Sequence, residues 1–161
     1  MKYLLFIFSC IVAFVLLTDS AKAQTNNFVN PSGLFEYDGK TLKKDGEIYG
    51  YFGTIKVLQL DSNKILVSFY VCKGAPSYNS GSFIDTLEFS NNQAIYRGDT
   101  TAPELTCKLT FHFTPKGINA EVFSENPNWA CGFGHAVDAQ GFYKRVKRKF
   151  PTKEEILKAD N

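Results

Sequence analysis

The feature that most restricts the fold is a two-residue alternation of apolar and polar side chains that recurs along most of the chain. "LTCKLTFHFT", residues 105–114, is the clearest case. Leu105, Cys107, Leu109, Phe111 and Phe113 share one side, and Thr106, Lys108, Thr110, His112 and Thr114 share the other. Successive side chains of an extended strand point to opposite faces, whereas a helix brings every third or fourth residue together. The alternation therefore predicts strands with one face for a core and one for water, over 33–38, 47–60, 64–72, 82–89, 93–98, 105–114, 117–124, 131–137 and 142–147. Between them stand residues suited to turns, in "LDSNK", "SNNQ", "TPKG" and "DAQG". In the last, Gly141 is placed to close a hairpin through a type I turn and a bulge.

Consecutive hairpins with short loops predict an all-β fold, an antiparallel meander that closes into a small barrel, with a sandwich as the alternative. Closure removes the free edges that so many sequential strands would expose. Pro103 keeps "GDTTAPE" out of any ladder, so this stretch reads as a loop. Near the C-terminus, Thr152 and Glu155 form a capping-box pattern, which predicts a short helix in 151–161 that must dock to be stable.

The first 23 residues combine Lys2, an apolar run from Tyr3 to Leu17 and a small-x-small site at Ala21-Lys22-Ala23, the pattern of a cleaved secretory signal peptide. The run is shorter than the roughly 20 residues of a membrane span, so no span is expected and the location is read as secreted or periplasmic. Residues 24–31 read as a flexible lead-in and 32–150 as one barrel domain, large enough to own a core. Without Lys2, Lys22 and Asp19 the chain carries 16 basic and 15 acidic residues, a balance that predicts no nucleic-acid partner. Charge is nevertheless concentrated in "YKRVKRKF", where Lys144, Arg145, Lys147, Arg148 and Lys149 form either a solvated strand end or a contact for an anionic surface.

Three cysteines follow residue 23: Cys72, Cys107 and Cys131. In an exported chain two of them are expected to pair. The hairpin at Pro115–Gly117 returns the chain beside Cys107, and "SENPNWA" brings Cys131 to the same end, with both cysteines facing inward. A Cys107–Cys131 disulfide is expected, worth roughly 3 to 4 kcal/mol by loop closure. Cys72 is left as a free thiol or an alternative partner. A zinc site from Cys107, His112, Cys131 and His135 is disfavoured, because Cys107 and His112 sit on opposite faces of one strand and a tetrahedral site needs all donors about 2.0 to 2.3 Å from the ion. No metal and no cofactor are expected.

Two polar residues fall on apolar faces. Asp85 alternates with Phe83, Leu87 and Phe89, and His135 with Cys131, Phe133 and Val137, so both are predicted to point inward and to be candidates for each other's company. A buried carboxylate needs such a partner. The two could form a core pair, a bulge could turn Asp85 outward, or Asp85 could serve ligand recognition in a barrel mouth. Catalysis has little support: Cys131 and His135 would be separated by about 13 Å along a strand, and no nucleophile elbow, zinc-protease motif or phosphate loop occurs. No catalytic residue is assigned.

Together, "YNSGSFIDTLEFSNNQAIY", "CKLTFHFTPKGINAEV" and "CGFGHAVDAQGFYKR" resemble a group of small secreted bacterial β-proteins. These share a cysteine strand, a hairpin, and Cys-Gly-Phe-Gly followed by Gly-x-Tyr-Lys. The likeness runs from about Tyr49 to Arg145 and implies compartment and fold without naming catalytic residues. A weaker similarity is to periplasmic β-barrel inhibitors and lipocalin-like binders, although "SGLFEY" lacks the Gly-x-Trp of the lipocalin first strand.

The functional expectation is a secreted or periplasmic, non-enzymatic binding protein that takes either a protein partner, as an inhibitor would, or a small apolar ligand. Aromatic residues make up 15% of the chain, enough to fill a core and leave some for a binding surface. Candidates are Tyr78, Asn79, Phe123, Trp129 and Phe133, with His135 and Asp85 beside them. Trp129 is either a recognition residue or a lid over one barrel end. The alternatives are an envelope-associated protein that binds anionic surfaces through its basic run and, third, a hydrolase of unknown type.

Overall fold

The computed structural model describes residues 28–98, 107–147 and 151–158. Among the described residues nine strands form one antiparallel sheet: β1 (Gly33–Tyr37), β2 (Leu42–Lys44), β3 (Glu47–Gln59), β4 (Lys64–Gly74), β5 (Ser80–Ser90), β6 (Gln93–Arg97), β7 (Cys107–Phe113), β8 (Gly117–Ser124) and β9 (Gly141–Lys147). Their order is β1-β9-β8-β7-β6-β5-β4-β3-β2, and β1 also pairs with β3, with Phe35 opposite Ile55. That last pairing closes eight strands into a barrel and leaves β2 as an extra strand on β3. The barrel is therefore the architecture, not the sandwich.

The turns explain the meander. Asn91 and Asn92 both take positive φ, 51° and 59°, the conformation of a two-residue turn whose twist matches antiparallel strands. Asp45 and Gly46 do the same between β2 and β3, at 53° and 83°. The β2–β3 hairpin is absent from the expected strands, although "KKDGEI" carries the Asp-Gly pair that favours such turns.

The expected strand over 131–137 is not a strand. After β8 the chain enters a 3₁₀ segment, Pro127–Gly132, and continues irregularly to β9. Cys131, Gly132 and Ala136 have φ of 62°, 70° and 55°, which breaks the extended backbone on which the alternation argument rested. Without that strand "DAQG" is no hairpin turn, and Gly141 begins β9 instead.

The barrel is filled. On β4, Ile65, Val67, Phe69 and Val71 point inward and are at most 1% exposed. Phe69 meets Phe83 of β5, Phe111 of β7 and Tyr143 of β9, with ring centroids 5.3, 5.9 and 5.8 Å away. Rings from different parts of the wall thus converge at the centre, and all belong to one continuous core.

One end of the barrel is crossed by residues 28–32, of which 28–31 belong to the expected flexible lead-in. Val29 N–H donates to Asn92 Oδ1 at 2.8 Å, and the Arg145 guanidinium donates to the carbonyls of Ser32 and Asn30 at 2.7 and 3.0 Å. Residues 28–31 are therefore held against the barrel, while 24–27 and the expected signal segment lie outside the described residues.

The C-terminal helix α1 (Lys153–Leu157) carries the predicted capping box: Glu155 N–H donates to Thr152 Oγ1, and Thr152 N–H donates to Glu155 Oε2. It packs on β3 and β4 through Ile156, which is fully buried. Docking supplies the stability that so short a helix lacks alone. Among the described residues no helix is long and apolar enough to cross a membrane.

Candidate functional site at the plugged end of the barrel

The end opposite residues 28–32 is covered by the segment between β8 and β9. Its entry is fixed by the Cys107–Cys131 disulfide, with Cα atoms 5.0 Å apart, as expected from the return of the β7–β8 hairpin. Beyond it Phe133 turns into the barrel, is 4% exposed, and stacks on Phe69 with ring centroids 5.9 Å apart. Gly81 on β5 makes room: a Cβ there would fall inside the Phe133 ring. Only glycine permits that close an approach.

Polar contacts pin the rest of the segment across the mouth. Gly134 N–H donates to the Ser80 carbonyl and Asn79 Nδ2 to the His135 carbonyl, both at 2.9 Å. The Tyr51 hydroxyl donates to the Ala136 carbonyl at 3.0 Å and accepts from Asp138 N–H at 3.2 Å. Behind Tyr51 lie Tyr37 and Tyr143, whose rings are 5.2 Å apart. Burial first, then neighbouring Tyr37 and the charge of Asp138, pushes the Tyr143 phenol far above the ordinary tyrosine range. Tyr37 is raised by burial and then by Asp138 and Tyr51. At neutral pH Tyr37 and Tyr143 are thus protonated phenols, and the Tyr143 hydroxyl donates to the Ala139 carbonyl at 3.3 Å.

On this pinned segment Trp129 remains 45% exposed, edge-on to the His135 ring with centroids 5.4 Å apart. Asn128 and Ala130, which flank it, help line a cleft of about 340 Å³ together with Val122, Ser124, Val137 and Asp138. Phe123, 71% exposed, lies on the outer wall at the same end. Comparison with protein-family models, curated proteins and solved structures finds no match.

The other sequence candidates separate. Phe133 is a core residue and offers nothing to a partner. His135 is exposed, because the positive φ at Cys131 and Ala136 removed the strand that would have turned it inward. Asp85 is exposed as well, although it sits opposite inward-facing Val67, and its carboxylate accepts from Thr86 N–H at 2.7 Å. The expected Asp85–His135 pair is thus replaced by separate partners, Thr86 and Trp129.

Tyr78 is bonded through its hydroxyl to Glu47 and to Ile48 N–H, and so anchors its loop to β3. The Glu47 hydrogen bond raises its phenol above the usual range, more than the Ile48 bond lowers it. Under that loop Cys72 is a buried free thiol. Of the basic run, Arg145 is half-buried and engaged within the chain: besides its two carbonyl partners, its guanidinium lies 4.5 Å from the Phe35 ring centroid. Lys144 is exposed on β9, while the Lys147 side chain, Arg148 and Lys149 lie outside the described residues.

Sequence reasoning missed two working parts, Tyr51 and Gly81. The signal for Gly81 was present: a glycine inside a strand marks a close approach. Tyr51 carried none, since its partners lie 85 and 87 residues away.

Proposed function

We propose that this chain is a secreted or periplasmic, non-enzymatic binding protein that recognises a protein partner with the plugged end of its barrel, in the manner of an inhibitor. The observation that carries this reading is Trp129, a large aromatic left 45% exposed on a segment whose backbone is pinned at both sides. Tryptophans are among the residues that dominate binding energy at interfaces. Pinning lowers the ordering cost of association. The adjacent cleft, apolar at Val122, Ala130 and Val137 and polar at Asp138 and Asn128, suits a side chain from the partner. A small apolar ligand inside the barrel is a poorer reading, because Phe69 and its neighbours occupy that space. The anionic-surface reading loses Arg145, which is committed to backbone carbonyls.

The test replaces Trp129 with a photoreactive aromatic residue, with Leu60, 46% exposed on the opposite end, replaced likewise as the control. Irradiation in the exported-protein fraction is expected to give a discrete protein adduct from position 129 alone. Equal adducts from both positions, or none from 129, would sink the proposal.

A further inference from the structure

The cleft beside Trp129 arises from a mismatch in strand length. β8 runs to Ser124, but its ladder with β9 ends at Ala120↔Gly141. Beside residues 121–124, across the cleft, stands the irregular segment 136–140 instead of a strand, and the 340 Å³ lie between them. Val122, which alternates with the inward-facing Ile118 and Ala120, gives one apolar wall, and the buried Ala130 and Val137 give the others. Asp138 is exposed at the rim and is the one charged residue among the described residues that line the cleft. Its Oδ1 accepts from Gln140 N–H at 2.8 Å. Among the described residues its other carboxylate oxygen, Oδ2, has no hydrogen-bond or ion-pair partner. The negative charge of this group reaches the phenols of Tyr37 and Tyr143 behind the plug, both of which it helps to raise.

Apolar walls that lead to a single carboxylate match a side chain with an apolar stem and a cationic head, the form shared by lysine and arginine. A guanidinium gains its advantage from a carboxylate that offers both oxygens, whereas a compact ammonium needs only one. With Oδ1 held by Gln140, the ammonium is the better match. A cleft at the lower end of the roughly 300 to 1,000 Å³ range of ligand pockets also suits one side chain better than a larger ligand. We propose that the cleft receives a lysine side chain of the partner protein, its methylenes against Val122, Ala130 and Val137 and its ammonium on Asp138 Oδ2, while the partner's surface around that lysine covers Trp129. This inference rests on the partner-binding reading above and narrows it to proteins that present a protruding lysine.

The test has two arms. In the first, the isotope-labelled chain is titrated by NMR with the methylamide of N-acetyl-lysine, and with the norleucine and arginine counterparts as controls. The lysine compound is expected to shift the amides of Val122, Ala130 and Asp138 along one saturation curve, and the controls to bind more weakly. Asp138→Asn keeps the shape and the Oδ1 acceptor, and is expected to weaken lysine binding about threefold, as loss of an exposed ion pair would. High salt is expected to weaken it in the unaltered chain, which tests the charge without a variant. No saturable shifts at the cleft, equal shifts from either control, or an affinity indifferent to both Asp138→Asn and salt overturns the proposal. In the second arm, Asp138→Lys is added to the chain with the photoreactive residue at position 129, and its circular dichroism is matched to the parent. The adduct is expected to be lost. An adduct that survives leaves the partner-binding reading standing and overturns the lysine site, whereas a parent chain that gives no adduct removes that reading while the first arm still decides the cleft.

Discussion

Replacing Phe69 with alanine is expected to lower stability by about 4 kcal/mol, the upper range for truncating a buried aromatic. The ring is 1% exposed and contacts Phe83, Phe111, Phe133 and Tyr143, so its removal leaves a void bordered by three strands and the plug. Those neighbours sit on separate elements and cannot all collapse inward without breaking the ladders that hold them. A urea titration would show the midpoint falling with the slope unchanged. A loss below about 1 kcal/mol would mean that the centre is already loose, and the filled-barrel description would fail.

The second large effect is expected from Cys107→Ser combined with Cys131→Ser. The bridge closes a sequence separation of 24 residues, worth about 3.5 kcal/mol in the chain-entropy model, or on the order of 10 °C in melting temperature. The effect is also local. Cys131 lies two residues before Phe133, so cutting the bridge frees the entry of the plug while Tyr51, Asn79 and Ser80 hold its far side. Trp129 is the single tryptophan of the chain and reports on this segment directly. Iodide quenching of its fluorescence is expected to rise in the double variant at temperatures where far-UV circular dichroism is unchanged. Unchanged quenching would show that the bridge does not position the plug.

Alternation made most of the fold readable because it reports which way a strand residue faces. Leu109 and Phe111 are buried, and His112 is turned out to Glu121 at 3.4 Å. The return of the Pro115–Gly117 hairpin, with the loop after it, placed Cys107 and Cys131 at one end, and Thr152 with Glu155 announced the helix cap. The failures share a physical reason. In "CGFGHAV" the glycines imitate the polar half of an alternation, yet non-glycine residues at positive φ, Cys131 and Ala136, make the segment a plug, and local sequence offers no sign of those angles. At Asp85 the facing was right and the burial wrong. Alternation reports the face of a residue, and burial depends on whether a neighbouring strand covers it, which β6 does not. The proposed recognition surface follows the same logic. Trp129 could be singled out as an aromatic between strands, but its pinning by residues as distant as Tyr51 arises only from closure.

The central claim is that the interior is occupied, which leaves the proposed recognition to the outside of the plugged end. Titration with an anilinonaphthalene sulfonate dye, a small apolar probe, tests it most directly. The oxidised native protein is predicted to give no saturable fluorescence enhancement, whereas Phe69→Ala, with its central void, is predicted to give one. Saturable one-to-one binding by the native protein, lost when the interior is filled further by Val67→Phe, would contradict the account.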